Sequence, residues 1–302
     1  MLNLPHYKDT AIIFIPVAFK FLTTFVTGRN CMDLQLSKIS IVTPSFNQSQ
    51  YLETTIKSVL NQKYPNLEYI IMDGGSNDGS VEIIKKYEKF ITHWESKPDK
   101  GQADAIYRGF EQSKGGIIGW INSDDYYLDG ALARVEEFFA HHPEIQWVLG
   151  DGIFVDTNNR KLLECYCPMI DYDRLLHFGM TFIQSTMFIR REFFFKCGGF
   201  DRELIFCFDY DLVLRLSKSS PPGRINSMLA ACRLHKKSKT NTLSEINRLE
   251  DQHLRKKYEC DYSKFIIFDY KRVIYGLKLL IFRLKTSGII PYFSFKFFYR
   301  LT

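Results

Sequence analysis

The chain has 302 residues, 45% of them hydrophobic, enough for one large domain and too apolar for general disorder. Its seven cysteines show no paired metal-ligand spacing, Cys165-x-Cys167 being too tight for the usual zinc pattern, so they read as free thiols of a reducing cytoplasm. The net charge of +6 is uneven: residues 263–302 carry eight Lys or Arg against one acid, Asp269, which leaves the rest near −1 and argues against a nucleic-acid-binding body.

Residues 1–37 form an apolar N-terminal extension. The run 11–27 is 17 residues long, at the lower limit for spanning a bilayer, and is broken by Pro16 and Lys20. A mid-span lysine costs roughly 2.5–3.5 kcal/mol on insertion. A peripheral anchor fits, and so does a true start nearer Met32. From residue 39 the pattern is regular. Residues 39–43 read as a strand and Pro44-Ser45-Phe46-Asn47 as a turn. Leu52, Ile56, Val59 and Leu60 then share one face of a helix. Strand 69–72 leads through loop 73–79 into a helix near Ser80, followed by strand 91–94, helix 102–113 and strand 117–121. Alternating strands and helices imply a mostly parallel α/β sheet covered on both faces, with ligands beyond the carboxyl ends of its strands. Farther on, 146–155, 182–190 and 225–234 read as strands. Residues 191–196 and 209–217 read as short helices and 241–258 as a charged amphipathic helix. The expectation is one continuous domain over 38–260.

The motif Asn122-Ser123-Asp124-Asp125 ends the buried strand 117–121. Adjacent carboxylates there repel unless a cation lies between them, and a hard divalent ion completes its shell with phosphate oxygens and water. Taken alone, the pair reads better as a cap for the helix starting near Asp129, and the acidic motifs upstream and downstream reverse that balance. The glycine-rich loop 73–80 lets a ligand approach the backbone, with Asp73 placed to accept a hydrogen bond and Asp78 to act as a turn and cap residue. Asp209 stands between Phe206-Cys207-Phe208 and the helix continuing through Leu212, Leu214 and Leu216. That apolar flank suits a general base, and a helix cap fits equally well. Asp211 fits a structural or acceptor-orienting role.

Pro44–Asn47, loop 73–80, Lys97-Pro98-Asp99-Lys100-Gly101-Gln102-Ala103-Asp104-Ala105 and Asn122–Asp125 occur in an order and spacing that resemble glycosyltransferase family 2, with its GT-A fold. The resemblance continues through Gly198-Gly199-Phe200-Asp201 and Asp209-Tyr210-Asp211-Leu212 to Arg233-Leu234-His235, covering roughly residues 38–240. It implies a domain divided into a nucleotide-binding half, 38–125, and an acceptor half, 126–260, forming an inverting, metal-dependent transferase that takes a nucleotide-sugar donor, a UDP-sugar, and a glycan or lipid-linked acceptor of bacterial surface polysaccharide. By the same resemblance Asp73 contacts the base, with Pro44, Ser45 and Asn47 around the nucleoside. Asp99, Lys100, Gln102 and Asp104 line the nucleotide pocket. Asn122 and Asp124 face the sugar or ribose, Asp125 ligates Mn²⁺ or Mg²⁺, Asp209 is the catalytic base and His235 contacts the metal or the departing UDP. Two departures stand out: Asn122 replaces an acid found in many relatives, and Phe208 replaces a glutamate. The alternative function is an inactive nucleotide-binding or membrane scaffold of the same fold.

In the tail, 261–302, Lys264, Lys271, Lys278 and Lys285 recur every seven residues among Phe265, Ile267, Phe268, Ile274, Leu277, Leu280, Ile281 and Phe282. This reads as an interfacial helix and puts the enzyme in the cytoplasm, on the inner face of the cell membrane. The same helix packed back on the domain with snorkelling lysines is the alternative.

Overall fold

The computed structural model describes residues 36–260, so the expectations for the N-terminal run and for tail 261–302 lie outside the described residues. Its elements in chain order are β1 Ile39–Ser45, α1 Ser49–Leu60, β2 Leu67–Asp73, α2 Ser80–Tyr87, β3 His93–Ser96, α3 Gln102–Gln112 and β4 Ile117–Trp120. They continue with β5 Tyr126–Tyr127, α4 Ala131–His141, β6 Trp147–Val155, β7 Lys161–Cys165, α5 Tyr172–Phe178 and β8 Phe188–Arg190. The last are α6 Arg191–Lys196, α7 Phe208–Ser219, β9 Gly223–Arg233, α8 Lys239–Thr242 and α9 Ser244–Lys257. The nine strands make one mixed sheet of order β3-β2-β1-β4-β8-β6-β9-β5, with β7 paired to β6.

The expected α/β architecture is present. β1 is buried at every position, as a central strand covered on both faces must be. Strand side chains alternate between two cores. Ile39, Ile41, Tyr69 and Ile71 pack with Leu52, Ile56 and Val59 of α1, Ile84 of α2 and Leu132 and Val135 of α4. Val42, Ile70, Met72, Ile118 and Trp120 pack with Ile106 and Phe110 of α3, Phe194 of α6, Leu212, Leu214 and Leu216 of α7, and Leu254 of α9. Helix α3 lies so close to β1 that a β-carbon at Gly109 would stand 2.6 Å from Val42 Cγ1. Val42 is fully buried and β-branched, so it cannot swing aside. Gly109→Ala is therefore expected to destabilise the domain by about 1–3 kcal/mol, read as a lowered denaturant midpoint at unchanged slope.

Several elements differ from expectation. Only Phe188–Arg190 of the strand expected over 182–190 pairs in the sheet. Before it comes a 3-10 turn, Gln184–Thr186, whose side chains reach the Asn122–Asp125 loop. The helix expected over 241–258 is two, α8 and α9, separated at Leu243. The hairpin strand β7 and helix α5 were not anticipated; β7 is joined to β6 through a turn with Asn159 at φ 64°. The parallel strands β1, β2, β3 and β4 end on one side. Ser45 is in register with Asp73, Asp73 with Ser96, and Val42 with Trp120. The polar loops following these strands therefore share one edge of the sheet.

Candidate active site

At the first of these loops Asp73 is fully buried. Its carboxylate accepts from the Gly75 and Ser76 amides at 3.1 and 2.9 Å, from Ser76 Oγ at 2.6 Å and from Ser96 Oγ at 2.6 Å. That is the surrounding of a residue that shapes its own loop rather than of one waiting for a base. Asn47 adopts φ 51°, a left-handed conformation that asparagine tolerates, and crosses to the same loop: its amide donates to Ser76 Oγ and its Oδ1 accepts from Asn77 N. Asp78 accepts from Ser80 N and Ser49 N, the first residues of α2 and α1, as expected for a capping residue. The open surface lies alongside. Phe46, absent from the sequence expectations, is 62% exposed and lies against Gly74. Asp99 Oδ2 comes within 3.0 Å of where a Gly74 β-carbon would sit, and Asp99 Oδ1 accepts from Gly101 N. Burial pushes the Asp99 carboxyl up. Pro44 is buried, and Ser45 Oγ is buried without a hydrogen-bond partner at the mouth of β1.

Of the residues expected to line the nucleotide pocket, Lys100 is exposed. Asp104 is engaged elsewhere: it pairs with Arg108 at 3.5 Å and Arg202 at 3.3 Å and receives the Lys100 amide, which makes it an anchor for the start of α3. Gln102 instead faces the cleft. Lys239 Nζ donates to Gln102 Oε1 at 2.9 Å, Gln102 Nε2 donates to Asn122 Oδ1 at 2.7 Å, and Asn122 Nδ2 lies 3.4 Å from both Asp125 Oδ2 and Gln184 Oε1. The chain of bonds takes its direction from Lys239, because lysine only donates. An acid at position 122 would turn a second carboxylate toward Asp125, so the amide there relieves repulsion.

The aspartate pair is split by its surroundings. Asp125 is buried: Oδ1 accepts from Arg233 N at 2.9 Å and Oδ2 from Ser185 Oγ at 2.8 Å. Burial, followed by the neighbouring Asp124 charge, pushes its carboxyl up to about 7. Asp124 keeps an 18% exposed side chain and places Oδ2 2.9 Å from His235 Nε2. The packing therefore gives Asp125, the expected metal ligand, protein donors on both oxygens, while the open carboxylate belongs to Asp124. Arg233 organises the turn. Besides its amide to Asp125, Nε donates to the Asp124 carbonyl, and the guanidinium stacks 4.6 Å from the Tyr51 ring. Tyr51 also packs against His235 at 4.9 Å. A carboxylate oxygen and an imidazole nitrogen side by side fit a divalent ion that draws its other ligands from diphosphate and water. Among the described residues no group of three or more His, Cys, Asp or Glu is placed to hold a metal ion.

Asp209 stands in the first turn of α7, where its Oδ1 accepts from Tyr210 N. Lys239 bridges from the Gln102 chain toward it: its ammonium lies 5.1 Å over the Phe208 ring, burial pulls its pKa down, and the Asp209 charge opposes that fall. Asp211 is buried and holds Arg215, Lys257 and Tyr258, a structural role in line with expectation. Lys239 and Arg233 both belong to the 233–240 basic segment visible in the sequence, but nothing in its pattern marks which cation turns inward. Gln184 and Ser185 carry no sequence signal of their contacts.

The family model described as "Glycosyl transferase family 2" matches residues 40–199. An uncharacterized glycosyltransferase of Haemophilus influenzae is 31% identical over 163 residues, 53% of this chain and 64% of that protein. A PGL/p-HBAD biosynthesis glycosyltransferase of Mycobacterium bovis is 30% identical over 182 residues, 58% of this chain and 68% of its own. In fold the chain is similar to S. aureus TarS 1-349 in complex with UDP-GlcNAc, at TM-score 0.58 and 17% identity, over 70% of this chain and 65% of that one. It is also similar to a mannosyltransferase from Pyrobaculum calidifontis in complex with GDP-Man and Mn²⁺, at TM-score 0.53 and 15% identity, over 86% and 78%. The chain thus spans slightly less than two thirds of the Haemophilus relative and of the TarS fragment.

Proposed function

The chain belongs to glycosyl transferase family 2, and on that premise we propose that it is an inverting glycosyltransferase using a nucleotide-sugar donor, a UDP-sugar, and a hydroxyl of a glycan or lipid-linked acceptor in surface-polysaccharide assembly. The observation that carries this reading is the Asp124–His235 pair next to Asp125, with a hydrogen-bond chain running from Asp125 through Asn122 and Gln102 to Lys239, whose charge feels Asp209. Phe46 offers the nucleobase a flat apolar surface, Asp99 Oδ2 an acceptor for a base N–H, and Ser45 Oγ an unused hydrogen-bonding group. Asp73 and Asn47 act one step back, by holding the loop that frames them.

Asp124 and His235 would hold Mn²⁺ or Mg²⁺, which when bound supplies positive charge beside the departing diphosphate. Asp125 keeps this turn in place through Arg233 and Ser185. Asp209 takes the proton of the acceptor hydroxyl; the freed oxygen attacks the anomeric carbon, and the nucleoside diphosphate leaves from the opposite face. Because acceptor and leaving group lie on opposite sides of the sugar, a single displacement inverts the anomeric configuration. The catalytic machinery lies within 38–260, with peripheral membrane contact assigned to 263–302.

The test is release of nucleoside diphosphate from a panel of sugar nucleotides, UDP-GlcNAc and GDP-mannose among them, in the presence of a bacterial membrane extract as acceptor, with Mn²⁺ or with EDTA. Metal-dependent release from one donor, suppressed by EDTA, is expected. Tight UDP binding without release from any donor would point instead to the scaffold function.

A further inference from the structure

Helix α9 lies outside the segment matched by the family model, which ends at residue 199, yet it grips the segment leading into α7. Glu250 on α9 places one carboxylate against three consecutive backbone amides. Its Oε1 accepts from Ile205 N at 2.7 Å, and its Oε2 accepts from Phe206 N at 2.8 Å and Cys207 N at 2.7 Å. One turn earlier on α9, the buried Asn247 meets the buried Cys207 thiol, with Sγ 3.5 Å from Oδ1. Cys207 is the residue immediately before α7, and Asp209 is the second residue of that helix.

We propose that Glu250 is a positioning residue for Asp209, and thereby that α9 is part of the transferase site; this rests on the reading of Asp209 as the base. An ordinary helix start is capped by one nearby side chain accepting one or two amides. Here a carboxylate more than forty residues downstream takes three. Three charge-assisted bonds to successive amides fix the direction of the chain at 205–207 and with it the point from which α7 departs. The anion also sits at the positive end of the α7 dipole. A carboxylate that accepts a proton in the transition state must be held to a fraction of an ångström, since a displacement of about 1 Å can lower a rate by on the order of 100-fold. The α7 N-cap itself, Cys207, makes no side-chain cap bond.

The experiment compares wild type, Glu250→Ala, Glu250→Gln, Asp209→Asn and the double variant Glu250→Ala/Asp209→Asn. Transfer is followed with the active donor from the panel above, and amide hydrogen exchange is measured on each protein. In Glu250→Ala, kcat should fall roughly 10–100-fold with the donor KM within about two-fold, and exchange protection should be lost at the amides of 205–207. Glu250→Gln keeps one acceptor oxygen, enough for Phe206 N and Cys207 N, but turns an NH2 toward the Ile205 amide, so it should fall between wild type and Glu250→Ala in both kcat and protection. The double variant should be no slower than Asp209→Asn alone, because a residue that acts only through Asp209 has nothing left to position. A purely structural Glu250 would give additive losses in the double variant, or a KM that rises along with the fall in kcat; either overturns the proposal, as does unchanged protection at 205–207. Should Glu250→Ala not fold, the glutamine variant carries the same comparison, and full protection with wild-type kcat in it overturns the proposal equally. Full activity in Asp209→Asn would remove the base assignment itself, while exchange at 205–207 still reports whether Glu250 holds the segment.

Discussion

Asp209→Asn is expected to lower kcat by roughly 10²–10⁴-fold, the range attributed to a positioned general base, while UDP affinity stays within about two-fold of wild type. The amide keeps the shape of the carboxylate and can still accept from Tyr210 N through its oxygen, so the fold at the start of α7 is preserved. What is lost is the capacity to take a proton. Measuring kcat separately from donor KM decides the matter, since an interaction made only in the transition state lowers kcat and leaves ground-state binding alone. A rise in KM at constant kcat would make Asp209 a binding residue, and an unchanged rate would require another base.

Asp124→Asn and Asp125→Asn should separate cleanly. The first removes the open carboxylate beside His235, so the gain in UDP affinity on adding Mn²⁺ should disappear and turnover fall by roughly 10²-fold or more. The second keeps an oxygen for the Arg233 amide and should retain the Mn²⁺ response within a few-fold. Its signature lies in stability. The folded state holds the Asp125 carboxyl at about 7, above the ordinary carboxylate value of the unfolded chain, because burial and the Asp124 charge disfavour ionisation. Between roughly pH 4 and 7 the unfolded chain has released this proton and the folded one has not. This contribution to stability is therefore fully present below about pH 4 and is lost as pH rises through about 7. Denaturant midpoints of the metal-free protein should show that decline, and Asp125→Asn should flatten it. Loss of the Mn²⁺ response in Asp125→Asn, with retention in Asp124→Asn, would return the ligand role to Asp125.

The site was legible in the sequence wherever a residue's place follows from its position along one strand. Asp73, Asn122, Asp124 and Asp125 end parallel strands or stand just past them, and period-two and helical patterns locate those strands within a residue or two. The division of labour within the aspartate pair was not legible, because it depends on Ser185 and Arg233, respectively 60 and 108 residues from Asp125. Similarly, Asp104 has the composition of a ligand-binding residue, and only the arrival of Arg202 reveals an anchor.

Local pattern was thus sufficient for an α/β sheet with its acidic loops on one edge, and for a family resemblance that the family model bears out over residues 40–199. Hydrophobic periodicity and turn chemistry act between neighbours in sequence, so a single chain displays them. Which carboxylate is buried, which lysine turns inward and which helix holds Asp209 were settled by packing between segments distant in sequence. Burial and hydrogen bonding decide whether a charged group is open to a ligand or occupied by the protein, and both are properties of the assembled core.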